Sequence, residues 1–251
     1  MTTTTAPTTK PQVALVTGAS RGIGAAIAKR LAADGARVAI TYTAGKEKAE
    51  ETVAAIRAAG GTAIAIQADS ADEAAVRGAV AQTVAAFGPL DILVNNAGVA
   101  VMASVEAYAM SDYLRSVAVN VTGVFVATQE AVRHMNDGGR VIMIGSVNAE
   151  RMPFAGGSVY ALTKGAVASF TRGAARDLAP RGITVNNIQP GPVDTDLNPA
   201  TGPFAETMKG LMALKRYGHG DEVAAMVAYL ASPAAAFVTG TSLSIDGGFL
   251  A

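Results

Sequence analysis

The sequence predicts one doubly wound α/β domain, a parallel sheet of about seven strands with helices on both faces. Three observations predict it. Short apolar runs of strand type alternate with helical segments of about a dozen residues or more. Glycine or proline punctuates most changes of period. Small polar residues gather just after the strands, where ligands of such sheets bind. Strands that alternate with helices need right-handed crossovers, and these make the sheet parallel.

The elements follow in order. Val13 to Val16 is an apolar run that meets Thr17-Gly18-Ala19-Ser20-Arg21-Gly22-Ile23-Gly24, and an alanine-rich helix follows from Ala25 to Ala33. Asp34-Gly35 ends that helix, and Ala36 to Thr41 reads as the second strand. Lys46 to Ala59 is helical and stops at Gly60-Gly61. Thr62 to Gln67 is the third strand, Ala71 to Phe87 a helix closed by Gly88-Pro89, and Leu90 to Val94 the fourth strand. Helical spacing returns over Ser111 to Met135 until Gly138-Gly139. Arg140 to Gly145 is a strand, Ser158 to Leu178 a helix and Gly182 to Ile188 a strand. Pro190-Gly191-Pro192 opens a long irregular stretch. Asp221 to Ala231 is a helix, and Ser242 to Ile245 the last strand. Met1 to Thr9 is threonine-rich, without the apolar centre of a signal peptide. Residues 1–10 read as a disordered tail and 11–251 as one domain.

Bulk properties narrow the function classes. Half of the 251 residues are hydrophobic, enough to bury a sizeable core. Twenty basic and twenty acidic side chains cancel, which gives no electrostatic reason to expect nucleic acid or an anionic membrane as partner. No apolar run reaches the ~18–20 residues of a membrane span. With no cysteine, disulfides, thiolate nucleophiles and Cys-based zinc sites are excluded, and a cytoplasmic location is unopposed. His134 and His219 are the only imidazoles, so no metal site is expected.

Two patterns carry chemistry. The first is the strand, glycine turn and helix at 13–33. Such a turn lets the backbone approach a pyrophosphate, and the helix N-terminus offers it free N–H groups and a positive dipole end. Its spacing, G-x-x-x-G-x-G, differs from the common G-x-G-x-x-G. The second is Tyr160-Ala-Leu-Thr-Lys164, with phenol and ammonium about one turn apart on one helix face. Ser146 lies upstream at a strand end. Together with Asn95-Asn96-Ala97-Gly98, Asn120 and Pro190-Gly191, these motifs resemble the short-chain dehydrogenase/reductase family, in order, from about Pro11 to Ala251.

The resemblance implies a Rossmann fold and hydride transfer between a nicotinamide and a ketone or secondary alcohol. It makes Tyr160 the acid or base, and Lys164 the cation that favours the phenolate and holds the nicotinamide ribose. Ser146 would hydrogen-bond the carbonyl oxygen, and Asn120 would hold a water in a proton relay. Gly18, Gly22, Ile23 and Gly24 would line the pyrophosphate. Asp69 and Ser70 would meet the adenine, Asn96, Ala97 and Gly98 would back the adenosine ribose, and Pro190, Gly191, Val193 and Thr195 would fix the carboxamide.

The end of the second strand separates the two nicotinamide cofactors. An acid there binds the ribose diol of NAD and repels the phosphate of NADP. No Asp or Glu occurs from Gly35 to Lys46. Ser20 and Arg21 lie at the turn, Lys46 is near, and Tyr42 or Thr43 is a hydrogen-bond partner, so NADP(H) is the expected cofactor.

The substrate side is built from the loop Val147 to Phe154 and the segment Leu197 to Arg216. Leu197, Phe204, Met208, Leu211 and Met212 fit either a hydrophobic lid over a ketone or a core and subunit contact. Arg151 fits either a solvated loop charge or a partner for an anionic substrate. Within the family, one branch reduces 3-oxoacyl groups on acyl carrier protein. Another contains a cyclic-di-GMP-binding protein, and Gly145-Ser146-Val147-Asn148, Arg151-Met152-Pro153 and Gln189 to Asp196 look like it. The resemblance therefore implies a carbonyl reductase, with cyclic-di-GMP binding or 3-oxoacyl reduction as rivals. It also implies a homotetramer, assembled through the Tyr160 helix and the region Gly240 to Gly248. The Tyr–Lys helix and the Asn-Asn-Ala-Gly turn count against another α/β chemistry such as methyl transfer.

Overall fold

Apolar residues fill whole strands here rather than alternate positions, because both faces of the sheet are covered. Residues 11–251 are described by a computed structural model. The tail expected over residues 1–10 lies outside the described residues. Seven parallel strands run in the order β3-β2-β1-β4-β5-β6-β7. They are β1 (Val13–Val16), β2 (Arg37–Tyr42), β3 (Thr62–Gln67), β4 (Leu90–Asn95), β5 (Met135–Ile144), β6 (Thr184–Pro190) and β7 (Ser242–Ile245). The strand order reverses between β1 and β4. That switch point opens a crevice at the carboxyl ends of the two strands.

The period of two sorts the strand residues between two cores. Ala14, Val16, Val38, Ile40, Ile92 and Val94 face one side, under α1 (Gly22–Ala33), α2 (Lys46–Ala58) and α8 (Gly220–Ala231). Val13, Leu15, Ala39 and Leu93 face the other, under α3 (Glu73–Phe87), α5 (Gly123–Arg133) and α6 (Ser158–Leu178). Leu15, Ile40, Ile92, Leu93, Ile142 and Ile188 are fully buried. Each contributes roughly 1.5–3 kcal/mol relative to exposure, so the central strands are the rigid part on which the site stands.

The helical stretch expected over Ser111 to Met135 is not one regular helix. It comprises α4 (Met110–Val117), a π-helical turn at Ala118–Thr122 and α5. Asn120 sits in that π turn and is buried. Such turns widen the backbone ladder locally and are frequent at functional sites. The stretch after Pro190 contains one short helix, α7 (Ala205–Leu211). It rests on a small separate core of Val147, Ala205, Met212, Tyr217 and Phe249.

The two readings of the 197–216 segment therefore divide by residue. Met212 is 1% exposed and belongs to that small core, with Met208 and Leu211 packed against it. Leu197 and Phe204 are 71% and 73% exposed and remain as apolar surface. Arg151 is exposed, as a solvated loop charge would be, yet its guanidinium is engaged within the chain. Its Nη1 donates to the Phe249 carbonyl at 2.7 Å, and its guanidinium lies 5.6 Å from the Phe249 ring centre. It ties the loop after β5 to the C-terminal turn.

Candidate active site

The glycine turn after β1 is stitched to the turn after β4. The Thr17 hydroxyl oxygen accepts the N–H groups of Asn96 and Ala97 at 3.0 and 3.1 Å. Asn96 Nδ2 donates to the carbonyls of Thr17 and Gly18 at 2.8 and 2.9 Å. Glycine is required on steric grounds. Gly18 has φ +62°, and a Cβ there would stand 2.8 Å from the Ala97 Cα. A Cβ on Gly24 would meet Asn96 Nδ2 at 2.5 Å and the Gly18 carbonyl at 2.8 Å. The unusual spacing thus follows from packing: Gly24 lets α1 start against its own turn and the neighbouring loop.

α1 begins at Gly22, earlier than the expected Ala25, because the turn itself enters the helix. No side chain caps its N-terminus, and its first turn contains no acid. Its leading N–H groups and positive dipole end suit an anion. The residues present therefore fit a pyrophosphate. Ile23 packs on the core behind the turn. Ser20, Arg21 and Gly22 line an open cleft of about 380 Å³ together with Lys48, Thr52 and Asp196.

Near this cleft the structure removes Tyr42 from the expected set and shows what holds the others. Tyr42 follows Val38 and Ile40 into the core and is 7% exposed, so its side chain does not face the cleft. Thr43 is exposed, with its hydroxyl 3.5 Å from the Ala68 carbonyl. Lys46 pairs with Glu50 at 3.6 Å, and Lys48 is the α2 lysine that lines the cleft. The Asp69 carboxylate is held by both terminal nitrogens of Arg115 at 2.9 and 3.0 Å, and it also accepts the Ala71 N–H. The Arg115 hydrogen bonds hold its carboxyl below the usual range. The Ser70 carbonyl lies over Gly123, where a Cβ would stand only 2.2 Å away.

The chemistry-bearing side chains meet at the carboxyl ends of β4, β5 and β6. Ser146 follows β5 and is buried; its hydroxyl accepts the Asn148 N–H at 3.1 Å and lies 3.2 Å from Asn148 Oδ1. Lys164 is buried, and its ammonium donates to the Ile144 carbonyl at 2.9 Å. The Lys164 Nζ lies 5.7 Å from the Tyr160 ring centre. A Cβ on Gly98 would stand 3.5 Å from both Lys164 Nζ and Asn120 Oδ1, which brings those two groups together beside the turn after β4.

Electrostatics refine two roles. Burial pushes the Tyr160 phenol above its ordinary value, and a hydrogen bond with Ser146 opposes this. Lys164 is not among these causes, and its ammonium is directed at the Ile144 carbonyl. Burial lowers Lys164 itself to about 8. Asn120 is a clamp as well as a polar group. Its amide nitrogen donates to the Val99 carbonyl at 2.9 Å and the Thr163 hydroxyl at 3.1 Å, and its oxygen accepts the Val99 N–H at 2.9 Å.

After β6, the Gly191 N–H donates to the Ile245 carbonyl at 3.0 Å, which seats Pro190-Gly191 against β7. Val193 is buried and bridges to Gly218. The Thr195 hydroxyl oxygen accepts the Asn198 N–H at 3.2 Å, leaving its own hydrogen free to donate. The Thr195 methyl would lie 3.4 Å from a Cβ on Gly22. This stretch therefore crosses over the glycine turn.

Residues 18–250 match the family model described as enoyl-(acyl carrier protein) reductase. The chain belongs to the short-chain dehydrogenase/reductase family. It is an oxidoreductase of that family, and the similarity runs nearly its full length. It is 48% identical over 235 residues to the cyclic-di-GMP-binding biofilm dispersal mediator protein of Escherichia coli K12, covering 94% of this chain and 95% of the relative. A short-chain dehydrogenase/reductase from Serratia marcescens is 60% identical with a TM-score of 0.95, covering 96% and 98% of the two chains. A short-chain dehydrogenase from Burkholderia cenocepacia J2315, solved with NADP, is 54% identical with a TM-score of 0.94, again over 96% and 98%. The branch resemblance read from Gly145 to Asn148 and from Gln189 to Asp196 agrees with the E. coli relative.

Three residues of this dehydrogenase/reductase escaped sequence reasoning. Lys48 and Arg115 lie on helices whose rotation decides which side chain reaches the site. Asp196 enters from a loop 175 positions beyond Arg21. Helix phase offered a signal for Lys48, since residues i and i+2 point to different sides. The position of Asp196 had no local signal.

Proposed function

We propose that this chain is an NADP(H)-dependent carbonyl reductase, reversible as a secondary-alcohol dehydrogenase, with Tyr160 as its acid–base group. The observation that carries the reading is the pair Tyr160 and Lys164 on α6, beside Ser146 at the end of β5 and next to the anion-ready turn of α1. Gly18, Gly22 and Gly24 hold the pyrophosphate. Ser20, Arg21, Thr43 and Lys48 surround the 2′-phosphate, Asp69 and Ser70 border the adenine, and Asn96 to Gly98 back the adenosine ribose. Pro190, Gly191, Val193 and the free hydroxyl hydrogen of Thr195 orient the carboxamide. A nicotinamide seated there supplies or accepts the hydride.

The residues of the chain handle the proton. The Ser146 hydroxyl turns from Asn148 to donate to the carbonyl oxygen. The half-buried Tyr160 phenol, raised in pKa by desolvation, is protonated at neutral pH and delivers its proton to that oxygen as negative charge builds there. Lys164, with its pKa lowered to about 8, remains largely charged at pH 7 and stabilises the phenolate left behind. Asn120 holds a water through the lone pair its clamp leaves unused, and that water returns a proton to Lys164 and Tyr160. Exposed Leu197 and Phe204 offer an apolar border to a ketone.

The test is oxidation of NADPH and NADH over a panel of cyclic, aryl and acyl ketones, 3-oxoacyl thioesters included. Higher kcat/KM with NADPH on at least one ketone is expected; a preference for NADH overturns the cofactor reading. The E. coli relative supports a second reading, sequestration of cyclic-di-GMP in the same cleft. Micromolar binding of that dinucleotide by calorimetry, with no ketone reduced, favours it.

We also propose a homotetramer. Phe125 and Leu162 are exposed, and Val121, Phe125, Ala166 and Phe170 line an apolar groove between α5 and α6. Apolar surface of this kind marks contact between chains. Fully exposed Phe237, shortly before the edge strand β7, marks a second face. Native mass spectrometry is expected to give four chains, and Phe125→Asp to give smaller species. A monomeric wild type contradicts the assembly.

A further inference from the structure

Two cations in the cofactor cleft share one carboxylate oxygen. Lys48 Nζ lies 2.8 Å from Asp196 Oδ2, and Arg21 Nη1 lies 3.3 Å from the same atom. Lys48 is on the first turn of α2, Arg21 in the glycine turn, and Asp196 in the stretch that crosses over Gly22. The crossing is fixed by the hydrogen bonds of Thr195 with Asn198 on one side and by the Val193–Gly218 bridge on the other. The carboxylate is held below its ordinary pKa, first by the Lys48 hydrogen bond and then by the two charges. All three side chains are about half exposed or more, so an incoming ligand can reach them.

The acid absent from the end of β2 is thus supplied in space by the stretch after β6. We propose that Asp196 sets the cofactor preference as an internal counter-ion that competes with the 2′-phosphate of NADP(H) and substitutes for it when NAD(H) binds. This inference rests on the NADP(H) reading above. A 2′-phosphate carries about −1.5 to −2 charge and three acceptor oxygens, so it takes Arg21 and Lys48 from a single carboxylate oxygen. Displacing Asp196 uses part of the binding free energy of NADP(H). With an unphosphorylated ribose, Asp196 stays between the two cations and accepts the 2′-hydroxyl, the task an acid at the end of the second strand performs in NAD-binding members of this fold. The chain therefore accepts both cofactors, and the ratio between them is set by a residue remote in sequence from the glycine turn and from the end of β2.

Asp196→Asn removes the competing charge while keeping the shape. Exposed ion pairs are weak, and two of them together correspond to about a fivefold change in affinity. Fluorescence titration is expected to give NADPH binding about fivefold tighter in D196N and NADH binding about threefold weaker. The NADPH gain should shrink at high salt, because the displaced pairs are exposed. Lys48→Gln is expected to weaken NADPH at least fivefold and leave NADH within about twofold. Adenosine 2′,5′-bisphosphate against AMP should repeat both patterns without the nicotinamide. If D196N shifts both cofactors equally, or weakens NADPH, Asp196 is not the competitor and the inference fails while the cofactor reading stands. If the wild type binds neither cofactor, the reading itself fails.

Discussion

Tyr160→Phe is expected to lower kcat for ketone reduction by about 10³, with NADPH affinity within about twofold of the wild type. A positioned general acid is worth roughly 10²–10⁴ in rate, and Phe keeps the ring while deleting the proton that is transferred to the carbonyl oxygen. The fold should tolerate the change. At neutral pH the hydroxyl is uncharged, and its deletion gives up one hydrogen bond with Ser146, worth about 1 kcal/mol. Thermal unfolding should move little in either direction. Retention of more than about a tenth of the wild-type rate would take the proton from another group and end the assignment of Tyr160.

Lys164→Met separates function from stability, because it should harm one and help the other. Turnover should fall at least about a hundredfold, since the phenolate loses its cation. Stability at pH 7 should rise. The Lys164 ammonium is buried, and its folded-state pKa of about 8 lies below the ordinary 10.5. Below pH 8 both folded and unfolded chains hold the proton, and the folded state bears the full cost of burying the charge. Between pH 8 and 10.5 the unfolded chain binds more protons, so wild-type stability rises with pH across that window, by an amount on the order of 3 kcal/mol. Denaturation series at pH 7.5 and pH 10 should show this rise in the wild type and its absence in K164M. Equal pH dependence in the two proteins would mean that Lys164 is not desolvated. The hydrogen bond to the Ile144 carbonyl is lost in the variant, which offsets about 1 kcal/mol of the gain.

Most of the scaffold was legible because its punctuation is local. Gly60-Gly61, Gly88-Pro89 and Pro190-Gly191 mark turns between elements whatever the rest of the chain does. The π turn at Ala118–Thr122 was not legible, since one widened turn barely disturbs a helical period. The place of Tyr42 follows from strand periodicity. The residue continues the inward face of Val38 and Ile40, and the period of two assigns it to the core. Lys46 is nearer to the end of β2 in sequence, but helix rotation brings Lys48 to the cleft. Asp196 and Arg115 act through contacts with Arg21 and Asp69 that are distant in sequence, and no local pattern reports such a contact. Arg151 shows the same limit: its partner is the Phe249 carbonyl, and carbonyls leave no mark in a sequence.

The proton and hydride assignments meet in one measurement. Wild type and Y160F are each incubated with a ketone from the panel and NADPH carrying deuterium at the transferred C4 position, and the alcohol is examined by mass spectrometry. The expected result is one deuterium on the carbinol carbon with the wild type and, over the same time, almost no alcohol with Y160F at unchanged NADPH affinity. Labelled alcohol at equal rates from both proteins, or none from the wild type with any ketone, would contradict reduction by the Tyr160–Lys164 pair.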